Sequence, residues 1–530
     1  MRKRLISRVF FFCAFSGLLV LVLIVVPSVD GQKTRQPAVA GEFYPADPKE
    51  LSQMVDELLS RAAPPEIKDR IVALISPHAG YVYSGGVAAN AYALLKGHQI
   101  SRVVVIAPSH YEGFDFSAVY DGEAYATPLG SIPVDKAFAA KLANLSPLIR
   151  LSSRGHAPTQ RGGEHALEVQ LPFLQRVLGN FKLVPVVMGA QDYELSRSLG
   201  VALAKLIQGT DTLIVASSDL SHFHTYDEAV RLDRKTLKAI EEWDYLSMSR
   251  NFEIRVWEAC GGGPIVAAMI AAEQLGANQA KILKYANTGD VTGDRSRVVG
   301  YGAVAIFQSP GGRSVAPQIS LNERERAELL KIARTSVEMA VRQDQLYELA
   351  APASGSLVQE RGAFVTVKKS GELRGCVGYV SPVKPLYLTV RDVSALAALR
   401  DTRFPPVRPA ELGELEYEIS VLSPFQRVLD VKQIRVGEHG LLIRRGDNEG
   451  VLLPQVPVEQ GWDAKTFLEQ ACLKAGLSRS AWQDKDTDIF LFSALVFSEQ
   501  KPSVPSPPAN LQPRKPPVLP RPSAQDSPRP

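Results

Sequence analysis

The sequence predicts two domains, an α/β domain built on a mixed, largely parallel sheet flanked by helices, followed by a smaller α+β domain. Short apolar runs that end in polar loops alternate with helical stretches through the first 310 residues. A segment rich in Gly, Ser and Pro interrupts this alternation at 309–317. Beyond it, strands follow one another at hairpin-like spacing and the helices are set apart. We therefore place the domains at 32–310 and 318–500.

The individual elements follow from local periodicity. Continuous apolar runs are typical of strands buried on both faces, and stretches with apolar residues three and four apart indicate helices. In the first domain the predicted strands are 71–75, 103–106, 183–188, 213–215 and 297–307, with a hairpin turn at 119–123 and helices at 48–61, 134–145, 166–178 and 194–207. In the second domain the predicted helices are 321–343, 386–399 and 464–475, and the predicted strands are 364–368, 376–379, 415–422 and 440–443.

The composition excludes several classes of protein. Of the 530 residues, 45% are hydrophobic and 22% are charged, which is the balance of a chain with real hydrophobic cores. Four cysteines are too few for a disulfide framework. The formal net charge of +4 resides at the two ends of the chain, so the body between them is net acidic. A nucleic-acid-binding body, which needs a basic face, is therefore not expected.

The two ends of the chain differ from its body. Residues 1–31 contain an 18-residue uncharged apolar run, Val9 to Val26, after four basic residues, which is typical of a secretory signal or a single membrane anchor. Both alternatives predict an extracytoplasmic body, either anchored by this one membrane contact or secreted. A start codon assigned too far upstream would instead leave the protein in the cytoplasm. Residues 501–530 are rich in proline and predict a disordered tail.

Histidines follow three of the predicted strands in the first domain. His78, His110 and His222 lie in separate loops at the carboxyl ends of strands, where open α/β sheets bind ligands. Cys260 precedes a run of glycines that allows close backbone approach. Two imidazoles and a thiolate suit iron, copper or, less well, zinc. His222 could instead act as a general acid or base with Asp219 orienting it. The simpler alternative is that these side chains only satisfy loop backbone and that Cys260 is a small buried residue.

A collinear series of motifs surrounds these positions: Pro37-Ala38-Val39-Ala40-Gly41, Pro77-His78-Ala79-Gly80-Tyr81, Pro108-Ser109-His110, Glu164-His165-Ala166-Leu167-Glu168, Ser217-Ser218-Asp219-Leu220-Ser221-His222, Cys260-Gly261 and Asp290-Val291-Thr292-Gly293-Asp294. These motifs resemble the Memo family over about 35–308. The resemblance implies the fold of the LigB-type class III extradiol dioxygenases, with His78, His110 and Cys260 as the metal-binding trio and Asp219 and His222 beside it. Where the dioxygenases have a carboxylate, this sequence has Cys260, which makes ring cleavage a doubtful expectation because thiolate is softer and can be oxidised.

Three further histidines of the first domain differ in their sequence contexts. His165 and Glu168 lie three apart in a predicted helix and would share one face, either as a mutually satisfied pair beneath the site or as a support for the metal ligands. His98 and His156 lack any such context, and we expect them at the surface.

The second domain resembles the AMMECR family over about 320–498. Leu373-Arg374-Gly375-Cys376-Val377-Gly378-Tyr379 carries the resemblance, together with the segments 401–406 and 418–424. Glycines beside Cys376 predict an accessible sulfur, and Arg374 could lower its pKa. Cys376 is then either a nucleophile for group transfer or a small residue in a tight strand. Cys472, on the apolar face of the last helix, is expected in the core.

The two resemblances together identify an AmmeMemoRadiSam-type protein, a Memo domain fused to an AMMECR domain. They imply a radical S-adenosylmethionine protein as partner, although an extracytoplasmic location would not suit the iron–sulfur cluster of such a partner. The leading hypothesis is a metal-dependent oxidoreductase, dioxygenase-like, with one iron or copper ion and an unknown substrate. The rival is a non-catalytic Memo domain that binds metal, a small molecule or a peptide, with the AMMECR domain as an interaction module.

Overall fold

The computed structural model describes residues 34–157, 163–310 and 319–499. The predicted leader at 1–31 and the predicted tail at 501–530 lie outside these ranges, so both remain predictions, as does the extracytoplasmic location. Within the described ranges no helix is both long and apolar enough to span a membrane.

The first domain is an α/β domain, as the sequence predicts. Its strands are β1 (Thr34–Arg35), β2 (Arg70–Ser76), β3 (Arg102–Pro108), β4 (Ser117–Val119), β5 (Ala124–Thr127), β6 (Gly130–Pro133), β7 (Ile149–Leu151), β8 (Lys182–Met188), β9 (Thr212–Ser217), β10 (His222–His224), β11 (Gln279–Asn287) and β12 (Val298–Gln308). Its helices are α1 (Pro48–Arg61), α2 (Tyr81–Ala93), α3 (Lys136–Ala143), α4 (Leu171–Leu178), α5 (Tyr193–Ile207), α6 (Tyr226–Glu241), α7 (Tyr245–Glu253), α8 (Gly262–Gln274) and α9 (Thr288–Thr292).

The main sheet places the polar strand-end loops at one edge. Its order is β10-β12-β2-β9-β3-β8-β4-β7, and β11 also pairs with β12. Strands β2, β9, β3 and β8 are mutually parallel, so their carboxyl ends lie side by side. The centres of these strands are fully buried because helices cover the sheet, and this burial explains their uninterrupted apolar sequences.

One local prediction in this domain is wrong. The segment 119–123 does not form a hairpin, because β4 pairs with β7 and β8 in the main sheet whereas β5 pairs with β1 and β6 in a separate one. The turn at Asp121-Gly122 carries the chain from one sheet to the other. The hairpin lies instead between β5 and β6, where Gly130 has a φ of +119° that favours glycine.

The second domain is α+β, also as predicted, with two antiparallel four-stranded sheets. Their orders are β14-β13-β15-β20 and β16-β19-β17-β18. The strands are β13 (Ala363–Lys369), β14 (Glu372–Tyr379), β15 (Leu415–Leu422), β16 (Gln426–Arg427), β17 (Gly440–Arg445), β18 (Asn448–Leu452), β19 (Asp488–Phe492) and β20 (Ala494–Ser498). The helices are α10 (Glu323–Gln343), α11 (Leu386–Leu399), α12 (Gln455–Glu459) and α13 (Ala464–Lys474). Cys472 on α13 is fully buried, so its predicted core position is confirmed.

The two domains share one hydrophobic core. Tyr245 and Met248 on α7 belong to the same buried cluster as Phe490 and Phe492 on β19, and the rings of Tyr245 and Phe490 lie 6.2 Å apart. Asp488, only 2% exposed, crosses the interface: it accepts hydrogen bonds from Tyr193 Oη and Arg197 Nε in the first domain. A continuous core with a buried ionic contact indicates a permanent interface rather than a hinge between independent bodies.

Candidate metal centre

Three residues that the sequence singled out converge at the carboxyl edge of the main sheet. His78 lies two residues beyond β2 and His110 two beyond β3, while Cys260 lies just before α8. One side-chain nitrogen from each histidine and the Cys260 sulfur lie within 4.8 Å of one another. His78 is buried, whereas 29% of the His110 side chain is exposed, so the cluster has one open side. Parallel strands explain this convergence because their ends share an edge.

Hydrogen-bond accounting fixes which nitrogen of His78 faces the cluster. The Ser217 hydroxyl donates to Ala166 O at 2.6 Å and accepts from Gln170 Nε2 at 2.7 Å. Its single hydrogen is thus used, so the contact of 2.9 Å with His78 Nδ1 requires Nδ1 to be the donor. His78 Nε2 then carries the lone pair, and it faces Cys260 Sγ at 3.1 Å.

Glu164 fixes the orientation of the His110 ring, as Ser217 fixes that of His78. Its Oε1 lies 3.0 Å from His110 Nδ1, and its Oε2 accepts the backbone N–H of His110 at 2.6 Å. Burial alone would raise the pKa of Glu164, but the hydrogen bond and positive charge of His110 outweigh burial and lower that pKa to about 2. A carboxylate can only accept, so His110 Nδ1 donates and Nε2 is directed away from Glu164.

The thiol of Cys260 completes the set. Burial, reinforced by the carboxylate of Asp219, raises the pKa of Cys260 well above its usual value, so without a cation the thiol is protonated and can donate to His78 Nε2. The backbone N–H of Asp219 donates to Sγ at 3.1 Å, a contact that favours thiolate when a cation replaces the proton. Two imidazole nitrogens and one ionisable thiol within 4.8 Å of one another form a donor set that fits a transition-metal ion.

Glycine permits the close approach of the Cys260 loop. A Cβ on Gly261 would lie 2.2 Å from Ser217 O, and a Cβ on Gly263 would lie 2.8 Å from the side chain of Gln191. Gln191 fastens the loop from both sides, since its Nε2 donates to Cys260 O and its Oε1 accepts from Gly263 N, each at 2.8 Å. The glycine run therefore serves the close backbone packing that its sequence predicts.

His222 lies beside the cluster but outside the three-ligand set. Its Nδ1 bonds Leu220 O at 2.9 Å, so Nδ1 is the donor and Nε2 is left as an acceptor. Asp219 does not orient His222, contrary to the prediction. Its Oδ1 accepts the backbone N–H of His78 at 2.7 Å, because the carboxylate turns back toward the end of β2. Asp219 therefore positions His78 and Cys260.

His165 and Glu168 have separate environments. His165 precedes the 3-10 helix Glu168–Gln170 and stacks on His110, with ring centroids 4.8 Å apart. Burial, reinforced by the unfavourable interaction with a second protonated imidazole at His78, lowers the pKa of His165 to about 4. Glu168 is fully buried and binds the N-terminal segment through Arg35, Tyr44 and two backbone N–H groups. They do not pair on one helix face, because the regular helix α4 begins only at Leu171.

The prediction that His156 lies at the surface is wrong. It is 1% exposed rather than at the surface, and its Nε2 lies 2.9 Å from Ala118 O while its Nδ1 bonds the Tyr125 hydroxyl. His98 is exposed, as expected.

Comparison with known proteins agrees with this architecture. Residues 35–305 match the family model described as "Memo-like protein". A MEMO1 family protein of Methanopyrus kandleri is 39% identical over 284 residues, which cover 51% of this chain and 98% of the relative. The chain belongs to the Memo family. A MEMO1 family protein of Nitrosopumilus maritimus is 36% identical over 280 residues, covering 52% of this chain and 99% of that protein.

The second domain matches a different family. Residues 330–497 match the family model AMMECR1, so the chain joins a Memo domain to a C-terminal AMMECR1 domain. Among solved structures, an uncharacterized protein from Pyrococcus horikoshii is 36% identical and covers 33% of this chain and 91% of its own, with a TM-score of 0.32.

The AMMECR1 domain places Cys376 in a different setting from the one predicted. Arg374 does not face the sulfur, because its guanidinium is held by Glu411 and by Pro405 O at 2.7 Å. The backbone of Cys376 is bound instead by Asp401, and its sulfur accepts from Thr366 Oγ1 at 3.4 Å. The neighbouring Gly375 serves packing, since a Cβ there would lie 2.1 Å from Ala397 O. The nucleophile hypothesis for Cys376 therefore loses its proposed activating cation.

Three residues that support the centre were not singled out as candidates. Glu164, Ser217 and Gln170 are buried and hold the two imidazoles, directly or through one another. Glu164 directly precedes His165, and Ser217 lies two positions before Asp219, so both belong to motifs present in the sequence. The available signal was a carboxylate and a hydroxyl adjacent to ligand-type residues at strand ends.

Proposed function

We propose that the Memo domain holds one redox-active metal ion, iron or copper, through His78 Nε2, His110 Nε2 and Cys260 Sγ, and carries out oxidation or oxygen chemistry on a small substrate. The observation that supports this most strongly is the fixed tautomer of both histidines. Ser217 and Glu164 each accept an Nδ1 hydrogen, so Nε2 is the nitrogen of both histidines that can bind a cation. Burial alone would lower the pKa of His110, but Glu164 raises it, so a cation binds His110 Nε2 in exchange for a proton. A cluster of merely satisfied core histidines would not need that common orientation.

The donor set favours particular metals. Two imidazoles with one thiolate suit iron and copper, and zinc less well for a redox role because it has no accessible second oxidation state. When bound, such an ion supplies Lewis acidity and one-electron redox chemistry. Among the described residues the cluster offers three protein donors, and the exposed side of His110 gives small molecules access to it.

His222 is the residue that we assign to proton transfer. Its Nε2 is a free acceptor because Nδ1 donates to Leu220 O. The backbone N–H of His222 donates to Glu258 Oε2 at 3.3 Å, and His224 Nε2 lies 2.8 Å from Glu258 Oε1, so one carboxylate holds this strand in place. Substitution of His222 by Gln should therefore lower turnover without removing the metal.

Elemental analysis of the protein purified anaerobically tests the proposal. We expect about one iron or copper per chain, and its loss in His78→Ala and in Cys260→Ala. Cys472→Ala is the matched control, because it removes a buried thiol far from the centre and should retain the metal. Absence of metal after anaerobic reconstitution with Fe²⁺ and Cu⁺, or equal metal content in all three variants, would overturn the proposal. A radical S-adenosylmethionine partner stays a prediction.

A further inference from the structure

A cleft of about 670 Å³ lies between the Memo and AMMECR1 domains, away from the metal centre. One wall is a stripe of α6 in which Arg231, Lys235 and Lys238 recur at helical spacing. The AMMECR1 domain contributes the opposite wall, from the segments 358–362 and 422–425. The volume of the cleft lies within the range of small-molecule sites, which form preferentially between domains.

The positive charges that line the cleft are not fully compensated. Lys235 pairs with Glu360 at 2.6 Å and Lys238 lies 3.6 Å from Glu242. Within the described ranges, Arg231 and Arg234 have no acidic partner, and Arg361 makes only a 3.4 Å contact with the Gln359 amide oxygen.

The remaining acidic groups of the lining are engaged elsewhere. Asp244 caps α7 through the backbone N–H of Ser247, and burial raises the pKa of Asp244 to about 6. Glu228 lies 3.6 Å from His224 Nδ1. The lining thus carries five basic and four acidic side chains, and among the described residues its arginines are the cations that lack a carboxylate partner.

The rest of the lining is apolar. Trp257, Val358, Pro382 and Pro424 line the cleft, and Val358 is 40% exposed although it is a large aliphatic residue. Rigid proline and aliphatic surfaces suit a flat apolar body, while guanidinium groups bind carboxylate or phosphate in bidentate fashion.

We propose that this cleft binds a small organic anion with an aromatic or otherwise flat apolar body. The anionic head contacts the guanidinium groups of Arg231 and Arg361, and the body packs against Val358 and Pro382, the more accessible apolar residues of the lining. The proposal does not depend on the metal centre, because no ligand-type residue of that centre lines the cleft.

Calorimetric titration of the purified protein with 2-naphthoate, 2-naphthol and 2-naphthylmethylammonium tests both features of the cleft. We expect naphthoate to bind at one site per chain, naphthol to bind at least tenfold more weakly, and the ammonium compound not to bind. The double variant Arg231→Gln/Arg361→Gln should lose at least tenfold in naphthoate affinity. Arg324→Gln, which changes an exposed arginine on α10, should bind like the parent.

Val358→Trp provides a test that keeps every charge. The larger side chain fills the apolar part of the cleft from a partly exposed position, so folding should survive and naphthoate binding should be lost. Thermal unfolding checks that this variant is folded. No naphthoate binding at millimolar concentration, equal binding of the ammonium compound, or undiminished binding by Val358→Trp would each overturn the proposal.

Discussion

Removal of the Ser217 hydroxyl is the most direct test of how the metal centre is organised. In Ser217→Ala, all three predicted ligands remain, but His78 Nδ1 loses its acceptor at 2.9 Å and Gln170 Nε2 loses its contact at 2.7 Å. Gln170 keeps Pro77 O as an acceptor at 3.0 Å, so the groups that lose a partner are the buried N–H of His78 and the carbonyl of Ala166, which loses its donor at 2.6 Å. The imidazole is then free to adopt the other tautomer, in which Nε2 carries the hydrogen and cannot bind a cation.

The substitution should affect two quantities, the folding stability and the metal affinity. A buried donor without a partner costs about 1–3 kcal/mol of folding stability. Loss of a hydrogen bond that orients a metal ligand typically costs about 10- to 100-fold in metal affinity. We therefore expect Ser217→Ala to be less stable than the parent and to bind Co²⁺, as a spectroscopic probe, about 10- to 100-fold more weakly.

Competition between the protein and a chelating dye measures this affinity. Ser394→Ala is the matched control: its hydroxyl is equally buried and donates to a backbone carbonyl, Val390 O at 2.5 Å, on helix α11 of the AMMECR1 domain. The control should lose some stability but keep its Co²⁺ affinity. If both variants bind Co²⁺ as tightly as the parent, the argument that Ser217 fixes the His78 tautomer is refuted.

Three further predictions concern other parts of the molecule. Gly261→Ala should abolish metal binding while the protein stays folded, measured by the same dye competition, because its Cβ would lie 2.2 Å from Ser217 O and displace the loop of Cys260. Asp488→Asn should lower the free energy of unfolding, measured in urea, by about 3–5 kcal/mol, because Arg197 and Arg427 lose their shared buried carboxylate. Two separate unfolding transitions, or a decrease below about 1 kcal/mol, would contradict this prediction. The hydrogen bond from Arg374 lowers the pKa of Glu411 to about 2, so the stability contributed by this carboxylate is present above pH 5 and is lost as pH falls toward 2. The difference in Tm between the parent and Glu411→Gln should therefore shrink over that interval, and a constant difference would contradict the assignment.

The regular elements could be predicted from the sequence because their signals are local. Strands β2, β3, β8 and β9 extend the predicted apolar runs by only a few residues at their ends, and α1 begins at Pro48 and ends at Arg61 as predicted. Asp47 supplies the cap of α1 and Leu51, Val55 and Leu59 its buried face, so cap and periodicity agree. The wrong hairpin at 119–123 shows the limit, since a turn signal does not specify which strands the turn connects.

The candidate ligands could be predicted for the same reason, but their supports could not. Strand ends bring His78 and His110 together whatever the remaining side chains do. Glu164, the partner of His110 Nδ1, lies in the segment 163–170, whose path across the sheet no local pattern encodes. Ser217, the partner of His78 Nδ1, ends β9, and nothing in its own sequence shows which imidazole it contacts. Arg374 illustrates the converse error: two positions from Cys376 along a strand, it reaches instead to Glu411, because the 3-10 helix Pro409–Glu414 lies beside it.

The domain interface is the feature that the sequence concealed most completely. A polar linker at 309–317 is typical of separate bodies, yet the buried faces of β19 and α7 belong to one core. An apolar strand has the same sequence character whether it packs on its own domain or on a neighbour. The contact between β19 and the first domain is shown by Asp488, which is buried against α5 and accepts hydrogen bonds from Tyr193 and Arg197.

That interface also reaches the metal centre through four consecutive residues. Trp257 Nε1 donates to Glu360 Oε2 of the AMMECR1 domain at 3.1 Å. Glu258 holds the strand of His222, and Cys260 supplies the predicted thiolate ligand. Contact with the second domain therefore restrains the segment that carries both the sulfur and the support of the proposed acid or base.

Glu360→Ala tests this connection without touching a ligand. It removes the acceptor for Trp257 and the ion pair with Lys235, so the segment 257–260 gains freedom that metal binding must then remove. We expect Co²⁺ affinity to fall by roughly 2- to 30-fold, the range that coupling through a packed contact produces. Glu449→Ala removes a different contact between the domains, with Arg250, and should leave the affinity unchanged. Equal weakening by both substitutions would assign the effect to domain docking as a whole, and no change in Glu360→Ala would show that the segment is rigid without the AMMECR1 domain.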